Sequence, residues 1–391
     1  MEKILSMKIE DMPGYFYNCP CGRRHSVDIE NISVGEDILV DLPKILGSFK
    51  GKKILLVWDD NTKRVAPSVP DILTGAGFDI EIFTLEKQNN PIIVPDEYTV
   101  GSILIATGDD IGLLLGVGSG TVNDLCKIVS YKMKLPSVTV ATAPSMDGYA
   151  STLSPLIVKN SKVTYPSHYP YAIVADVSIL KNAPKEMLLA GFGDIVGKYT
   201  ALADWQLTVK INSEYYCETT VQLVKNAVNK CVSVSEQYIK RDPEAVKSMM
   251  EALILSGIAM GLVGISRPAS GSEHHLAHFW ELDALAKNKE HPLHGNSVGA
   301  GCVVVATAYK LLKDKYEELA DIEVPDPEYL KSIYSKIGAA ASPKDLGIEK
   351  EVFRDSVRNA YRIRPRYTIF NFTKNHGYLD MLADILTDMF Y

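Results

Sequence analysis

Histidine is scarce in this chain of 391 residues, yet five of its eight histidines fall between positions 274 and 294. The segment Ser270-Gly-Ser-Glu-His274-His275-Leu-Ala-His278 sets His274 and His278 four residues apart, on one face of a helix. His291-Pro-Leu-His294-Gly295 then offers another imidazole from a loop–helix junction. Imidazole is the commonest metal ligand, and a catalytic centre needs three protein ligands and one open position. The third should be a carboxylate from a different element. Asp194, in Gly191-Phe-Gly-Asp194-Ile-Val-Gly-Lys198, stands in an apolar helical stretch. Alone it would pass for a helix cap, and a lone histidine for a core residue. Together they read as a metal site, and this donor set suits several divalent ions.

A second constellation lies upstream. Leu113-Leu-Leu-Gly116-Val-Gly118-Ser119-Gly120-Thr121 reads as a buried strand, a glycine turn and the start of a helix with Thr121 as its N-cap. Glycines let backbone approach a ligand, and a helix N-terminus presents unpaired N–H groups to an anion such as a pyrophosphate. The spacing is G-x-G-x-G, not the G-x-G-x-x-G of the dinucleotide fingerprint. Asp59 and Asp60 end an earlier strand, where a carboxylate can accept from ribose hydroxyls; a solvated turn is the plain alternative. An acidic pair there favours NAD(H), with NADP(H) left open. Cys19-Pro-Cys21-Gly with His25 resembles half of a metal knuckle, but no second ligand pair follows at zinc-like spacing, so a tight turn is expected.

The elements that must position these groups change character along the chain. Lys53–Trp58 and Asp79–Thr84 read as strands, and the apolar runs Ser102–Ala106, Gly112–Val117 and Ser137–Thr142 as further ones. Helical patterns between them imply a doubly wound, Rossmann-like parallel sheet. From about Pro184, the stretches Lys185–Lys210, Thr219–Tyr238, Glu244–Ser266 and Asn296–Leu319 carry helical periodicity, with Pro325, Pro327 and Pro343 read as loops.

A formal net charge of −7 argues against a nucleic-acid or anionic-membrane surface. The stretch Ala252–Ser266 is shorter than the roughly 18–20 residues that span a bilayer. Met1–Gly14 lacks the apolar core of a secretory signal, and six scattered cysteines fit reduced thiols in a cytoplasmic protein.

Gly116–Asp124, Ala141-Thr-Ala-Pro-Ser-Met-Asp147-Gly-Tyr-Ala-Ser151, Ala190–Lys198 through Asp204-Trp205, Ser270–His278, Leu293–Gly295 and Arg366-Tyr-Thr-Ile369 occur here in that order. This series resembles the sn-glycerol-1-phosphate dehydrogenases, their bacterial AraM-type branch in particular, and Cys19-Pro-Cys-Gly is similar to that branch too. The wider group includes iron-dependent alcohol dehydrogenases, glycerol dehydrogenases and dehydroquinate synthases. The resemblance implies an α/β nucleotide-binding domain over residues 1–183 and a helical metal-binding domain over 184–391, in a dehydroquinate synthase-like fold with the active site between them.

It further implies one divalent metal, zinc or nickel, on Asp194, His274 and His294. His275 stays open as an alternative to His274. Gly118, Ser119, Gly120 and Thr121 match the pyrophosphate loop, with Asp124, Thr142, Ser145 and Ser151 in the flanking cofactor motifs. Asp147 falls near nicotinamide and substrate, and it and His278 are the expected catalytic groups. Lys198 and Arg267, beside the metal motifs, are the expected phosphate partners. The implied reaction is reversible NAD(P)H-dependent reduction of dihydroxyacetone phosphate to sn-glycerol 1-phosphate, by a homodimer or larger homo-oligomer. Alternatives are a glycerol dehydrogenase for unphosphorylated polyols, a dehydroquinate synthase-type cyclase, and a non-catalytic binding protein.

Overall fold

A computed structural model describes residues 2–88, 92–159 and 161–391. Its centre is a six-stranded parallel sheet ordered β3-β10-β7-β6-β4-β5. Those strands are β3 (Asn31–Gly35), β4 (Lys53–Asp59), β5 (Asp79–Leu85), β6 (Ile111–Gly118), β7 (Ser137–Ala141) and β10 (Ala172–Asp176). Two hairpins flank it: β1 (Phe16–Asn18) with β2 (Arg24–Ser26), and β8 (Leu153–Val158) with β9 (Ser161–Pro166).

The inner strands are runs of Leu, Ile, Val and Ala buried on both faces, as expected where helices cover a parallel sheet on either side. One apolar cluster lies on each face, including Leu56 and Val140 on one side and Leu55 and Leu125 on the other. The expected strand at Ser102–Ala106 is instead the end of the helix Glu97–Ala106. Asp96 caps it by accepting from the Thr99 N–H, and its Ile105 side chain is exposed.

The glycine turn leads into α1 (Gly120–Met133). Beyond β10 the chain is helical: α2 (Lys185–Asn212), α3 (Glu218–Ser233), α4 (Pro243–Val263), α5 (Ser272–Ala286) and α6 (His294–Lys313). Pro327 does not lie in a loop; it opens the helix Pro327–Ile337, where its missing N–H costs nothing. Helix α4 has the length and hydropathy of a membrane span, yet most of it is buried against the other helices.

Small residues let α2 and α6 approach closely. A Cβ on Gly193 would lie 2.2 Å from the Gly295 carbonyl oxygen, and one on Gly295 would lie 1.8 Å from that of Ala190. This contact sets Asp194 on α2 opposite His294, the first residue of α6.

Candidate active site

A cavity opens where the carboxyl ends of β6 and β7 face α5 and α6. Ser119, Gly120, Thr121 and Asp124 line one side, Ser145, Asp147 and Ser151 form its floor, and His274, His278, His294 and Arg364 close the other side. In the sheet, β6 neighbours β4 while the next strand in sequence after β4 is β5, so the strand order reverses at this point. Ligands of open α/β sheets bind at such switch points, beyond the carboxyl ends of the strands.

Helix α1 begins at Gly120 with Ser119 as N-cap, so Thr121 is not the cap that the spacing suggested. Ser119 makes no side-chain capping bond, which leaves the first N–H groups directed at the cavity. Gly118 lies under the wall, where a Cβ would sit 2.6 Å from the Val122 side chain. The Thr142 N–H donates to the Gly118 carbonyl and is also behind the surface. Asp59 ends the neighbouring β4, outside the cavity, and caps the short helix after it by accepting from the N–H groups of Asn61 and Thr62. Lys127 is fully buried, ion-paired with Asp124 at 3.2 Å, and donates to the carbonyls of Gly148 and Leu153. It therefore ties the 147–153 loop to α1.

On the opposite wall, ligand atoms of Asp194, His274 and His294 lie within 4.8 Å of one another. Glu273 Oε1 is 2.8 Å from His274 Nδ1, so that nitrogen donates and Nε2 faces Asp194 Oδ1 at 3.7 Å. Glu273 is itself held by the Gly271 N–H and the Thr200 hydroxyl. His275 points elsewhere, and neither of its buried ring nitrogens has a hydrogen-bond partner among the described residues. Burial, reinforced by Lys198, pushes the His274 pKa far below the usual imidazole range; burial and His274 do the same to His294. Both rings are neutral at physiological pH, the form that ligates. His294 Nδ1 is buried without a partner among the described residues.

The cations are distributed differently from the sequence expectation. Lys198 is fully buried beneath the wall, 2.5 Å from Asp194 Oδ1 and 2.8 Å from Asp147 Oδ2. Burial opposes its charge, but the two carboxylates prevail and hold its pKa above the ordinary lysine value. Asp147 Oδ2 also accepts from Ser256, and the Asp147 N–H donates to Asp194 Oδ2. Arg267 lies outside the cavity in a two-pronged pair with Glu214 and donates to the Tyr367 carbonyl.

Arg364 occupies the cavity wall instead. It donates to His278 Nε2 at 3.1 Å, its buried Nε has no partner, and it pairs with no carboxylate among the described residues. Burial lowers its pKa to about 10, so it stays cationic at neutral pH. Lys162, on β9, also lines the cavity but is bound to Glu281 on α5 at 2.7 Å.

Sequence reasoning passed over Arg364, Glu273 and Lys127. Glu273 adjoins His274 and could have been sought as its support. Arg364 carried only the faint signal of Arg362-Ile-Arg364-Pro-Arg366, three arginines alternating near the end of the chain.

Residues 33–184 match the family described as iron-containing alcohol dehydrogenase. The glycerol-1-phosphate dehydrogenase [NAD(P)+] of Geobacillus stearothermophilus is 33% identical, over 94% of this chain and 98% of its own. That of Bacillus subtilis (strain 168) is 30% identical, over 90% and 94%. Among solved structures, a probable glycerol dehydrogenase from Sinorhizobium meliloti 1021 superimposes with a TM-score of 0.69 at 18% identity, covering 92% of this chain and 96% of that one. Maleylacetate reductase from Rhizobium sp. strain MTP-10005 gives 0.70 at 13% identity, over 94% and 97%, so the fold is shared well beyond sequence likeness. The chain belongs to the glycerol-1-phosphate dehydrogenase family.

Proposed function

We propose that this protein reduces dihydroxyacetone phosphate to sn-glycerol 1-phosphate, reversibly, with NADH or NADPH and a divalent metal. The observation that carries the phosphorylated substrate is Arg364: a part-buried guanidinium beside the histidine cluster, in ion-pair contact with no carboxylate among the described residues. A part-buried cation with no ion-pair partner is suited to a phosphate, which would accept its charge-assisted hydrogen bonds. Ser270 supports the same reading, since it lines the cavity and its buried hydroxyl has no partner among the described residues. Lys198 and Arg267 are each neutralised by carboxylates, so we assign the phosphate to Arg364 in their place. An unphosphorylated polyol would have no use for this cation.

The donor set suits a divalent ion. Asp194, His274 and His294 would hold it, with Glu273 orienting His274; zinc and nickel both suit two imidazoles and a carboxylate. Bound there, the metal supplies Lewis acidity at the ketone oxygen and the dihydronicotinamide supplies hydride. The chain's own groups do the rest. N–H groups of Ser119–Thr121 hold the cofactor pyrophosphate, and Asp124, Ser145 and Ser151 line the path to the nicotinamide. Gly118 and Thr142 shape that turn from behind, and we assign Asp59, at the end of β4, to the adenosine ribose.

Arg364 anchors the substrate phosphate and fixes which carbon faces the nicotinamide. Its donation to His278 Nε2 leaves the ring hydrogen on Nδ1. Burial and Arg364 keep that imidazole neutral, which suits it to orient the substrate. Asp147, held by Ser256 and Lys198 on the cavity floor, would orient the water that gives its proton to the product alkoxide. We place the domain boundary at 183/184, the enzyme in the cytoplasm, and its working form as a homodimer or larger.

The test is NADH oxidation by chelated protein reloaded with zinc or nickel, with chiral analysis of the product. Metal-dependent formation of sn-glycerol 1-phosphate is expected. Turnover of dihydroxyacetone alone would instead indicate a glycerol dehydrogenase.

A further inference from the structure

Away from the cavity, the Cys19-Pro-Cys21-Gly turn joins β1 to β2, closed by the Gly22 N–H on the Cys19 carbonyl. Locally it is the tight turn that the spacing suggests. Two further donors converge on it: His25 from β2, and Cys217, which lies in the loop after α2 and is the N-cap of α3. Ligand atoms of Cys19, Cys21, His25 and Cys217 all lie within 4.8 Å of one another. Sγ of Cys19 is 3.7 Å from Sγ of Cys217, and His25 Nε2 lies 3.2 Å from Cys21 Sγ and 3.5 Å from Cys217 Sγ. Tetrahedral zinc with Zn–S of about 2.3 Å and Zn–N of about 2.0 Å places its ligands about 3.5–3.8 Å apart. A disulfide would need about 2.05 Å between sulfurs.

We propose that these four residues bind a second metal ion of the zinc class, with a structural role. Four protein ligands fill a tetrahedral shell and leave no position for substrate, unlike the three at the cavity. Neighbouring hydroxyls are placed to donate to the ligand sulfurs. Hydroxyls of Thr219, Tyr215 and Thr220 lie 3.4, 3.2 and 3.2 Å from the sulfurs of Cys19, Cys21 and Cys217, and the N-terminus of α3 adds its dipole at Cys217. The remaining cysteines, Cys126, Cys231 and Cys302, are each buried outside this cluster.

The site has work to do. Strands β1 and β2 are three residues each, too short to be stable alone. The ion would fasten them to the α2–α3 connection, in the loop that also supplies Glu214 to Arg267.

The test is cobalt(II) loading of the intact protein, because cobalt at thiolates gives a near-ultraviolet charge-transfer absorption that an aspartate–bis-histidine site cannot give. The absorption should appear in the wild type and persist in Asp194→Asn, which lacks a cavity ligand. It should weaken in Cys217→Ser, which removes one of three sulfurs, and vanish in Cys19→Ser/Cys21→Ser/Cys217→Ser. Should Cys217→Ser fail to fold, thiol labelling of the native wild type replaces it: metal should protect three of six thiols, and chelation should release them. Absence of the absorption from the wild type, equal labelling with and without metal, or a Cys19–Cys217 disulfide in peptide maps would overturn the inference. None of these readouts involves turnover, so failure here leaves the proposed reaction standing.

Discussion

The two ligand clusters contrast in how they are built. Asp194, His274 and His294 stand on three helices packed through glycine, next to a cavity, with three donors that leave room for a fourth partner. Cys19, Cys21, His25 and Cys217 stand on a short hairpin and a loop, with four donors and hydroxyls on every sulfur. The first arrangement is rigid and open, as chemistry requires. The second is closed, on elements that need fastening. Within one chain, scaffold stiffness and ligand number together separate a reacting site from a holding one.

Breaking the open cluster should have the largest effect. Asp194→Asn or His294→Ala should lower kcat/KM by about 10³-fold or more, the loss of several kcal/mol of Lewis-acid stabilisation, with the fold intact by circular dichroism. Glu273→Gln should weaken metal binding by about 10–100-fold, read by competition with a chelator, because it loosens His274 without removing a ligand. Cys217→Ser should invert the pattern. Its Tm should fall by on the order of 5 °C, while kcat of the metal-loaded enzyme stays within about twofold.

Gly193→Ala probes the packing beneath the open cluster. Its Cβ would meet the Gly295 carbonyl, so urea unfolding should show a loss of about 1–3 kcal/mol, together with weaker metal binding.

The smallest effect concerns pH. Burial and then Arg366 hold the His275 pKa far below 6.5. Below pH 6.5 the unfolded chain takes up a proton that folded His275 refuses, so its contribution is intact above 6.5 and is lost as pH falls. His275→Leu should flatten the decline of metal-free stability by up to about 1.4 kcal/mol per pH unit, measured by urea unfolding between pH 7 and 5.5.

How much of this was legible in the sequence follows from distance along the chain. His274 and His278 share a helical turn, and Gly118–Thr121 is a local backbone shape, so spacing alone revealed both. Helix α2 was readable from its periodicity and shows Asp194 as an anomaly within it. Cys217 lies 198 residues from Cys19, and no spacing rule reaches across that gap. Arg364 and Arg267 are alike as sequence, and only the positions of Glu214 and Tyr367 separate the neutralised cation from the free one. The run Ser102–Ala106 misled because five apolar or small residues carry no period, whereas the cap at Asp96 lies six residues earlier.

The central claim is that a phosphorylated ketone is held by Arg364 beside the Asp194–His274–His294 cluster. The most direct test compares kcat/KM for dihydroxyacetone phosphate and for dihydroxyacetone in wild type and Arg364→Gln, both metal-loaded. The phosphorylated substrate should lose about 10²-fold in the variant, the worth of a charged hydrogen-bond pair, and the unphosphorylated one should change little. An equal loss on both substrates, or none on either, would contradict the assignment.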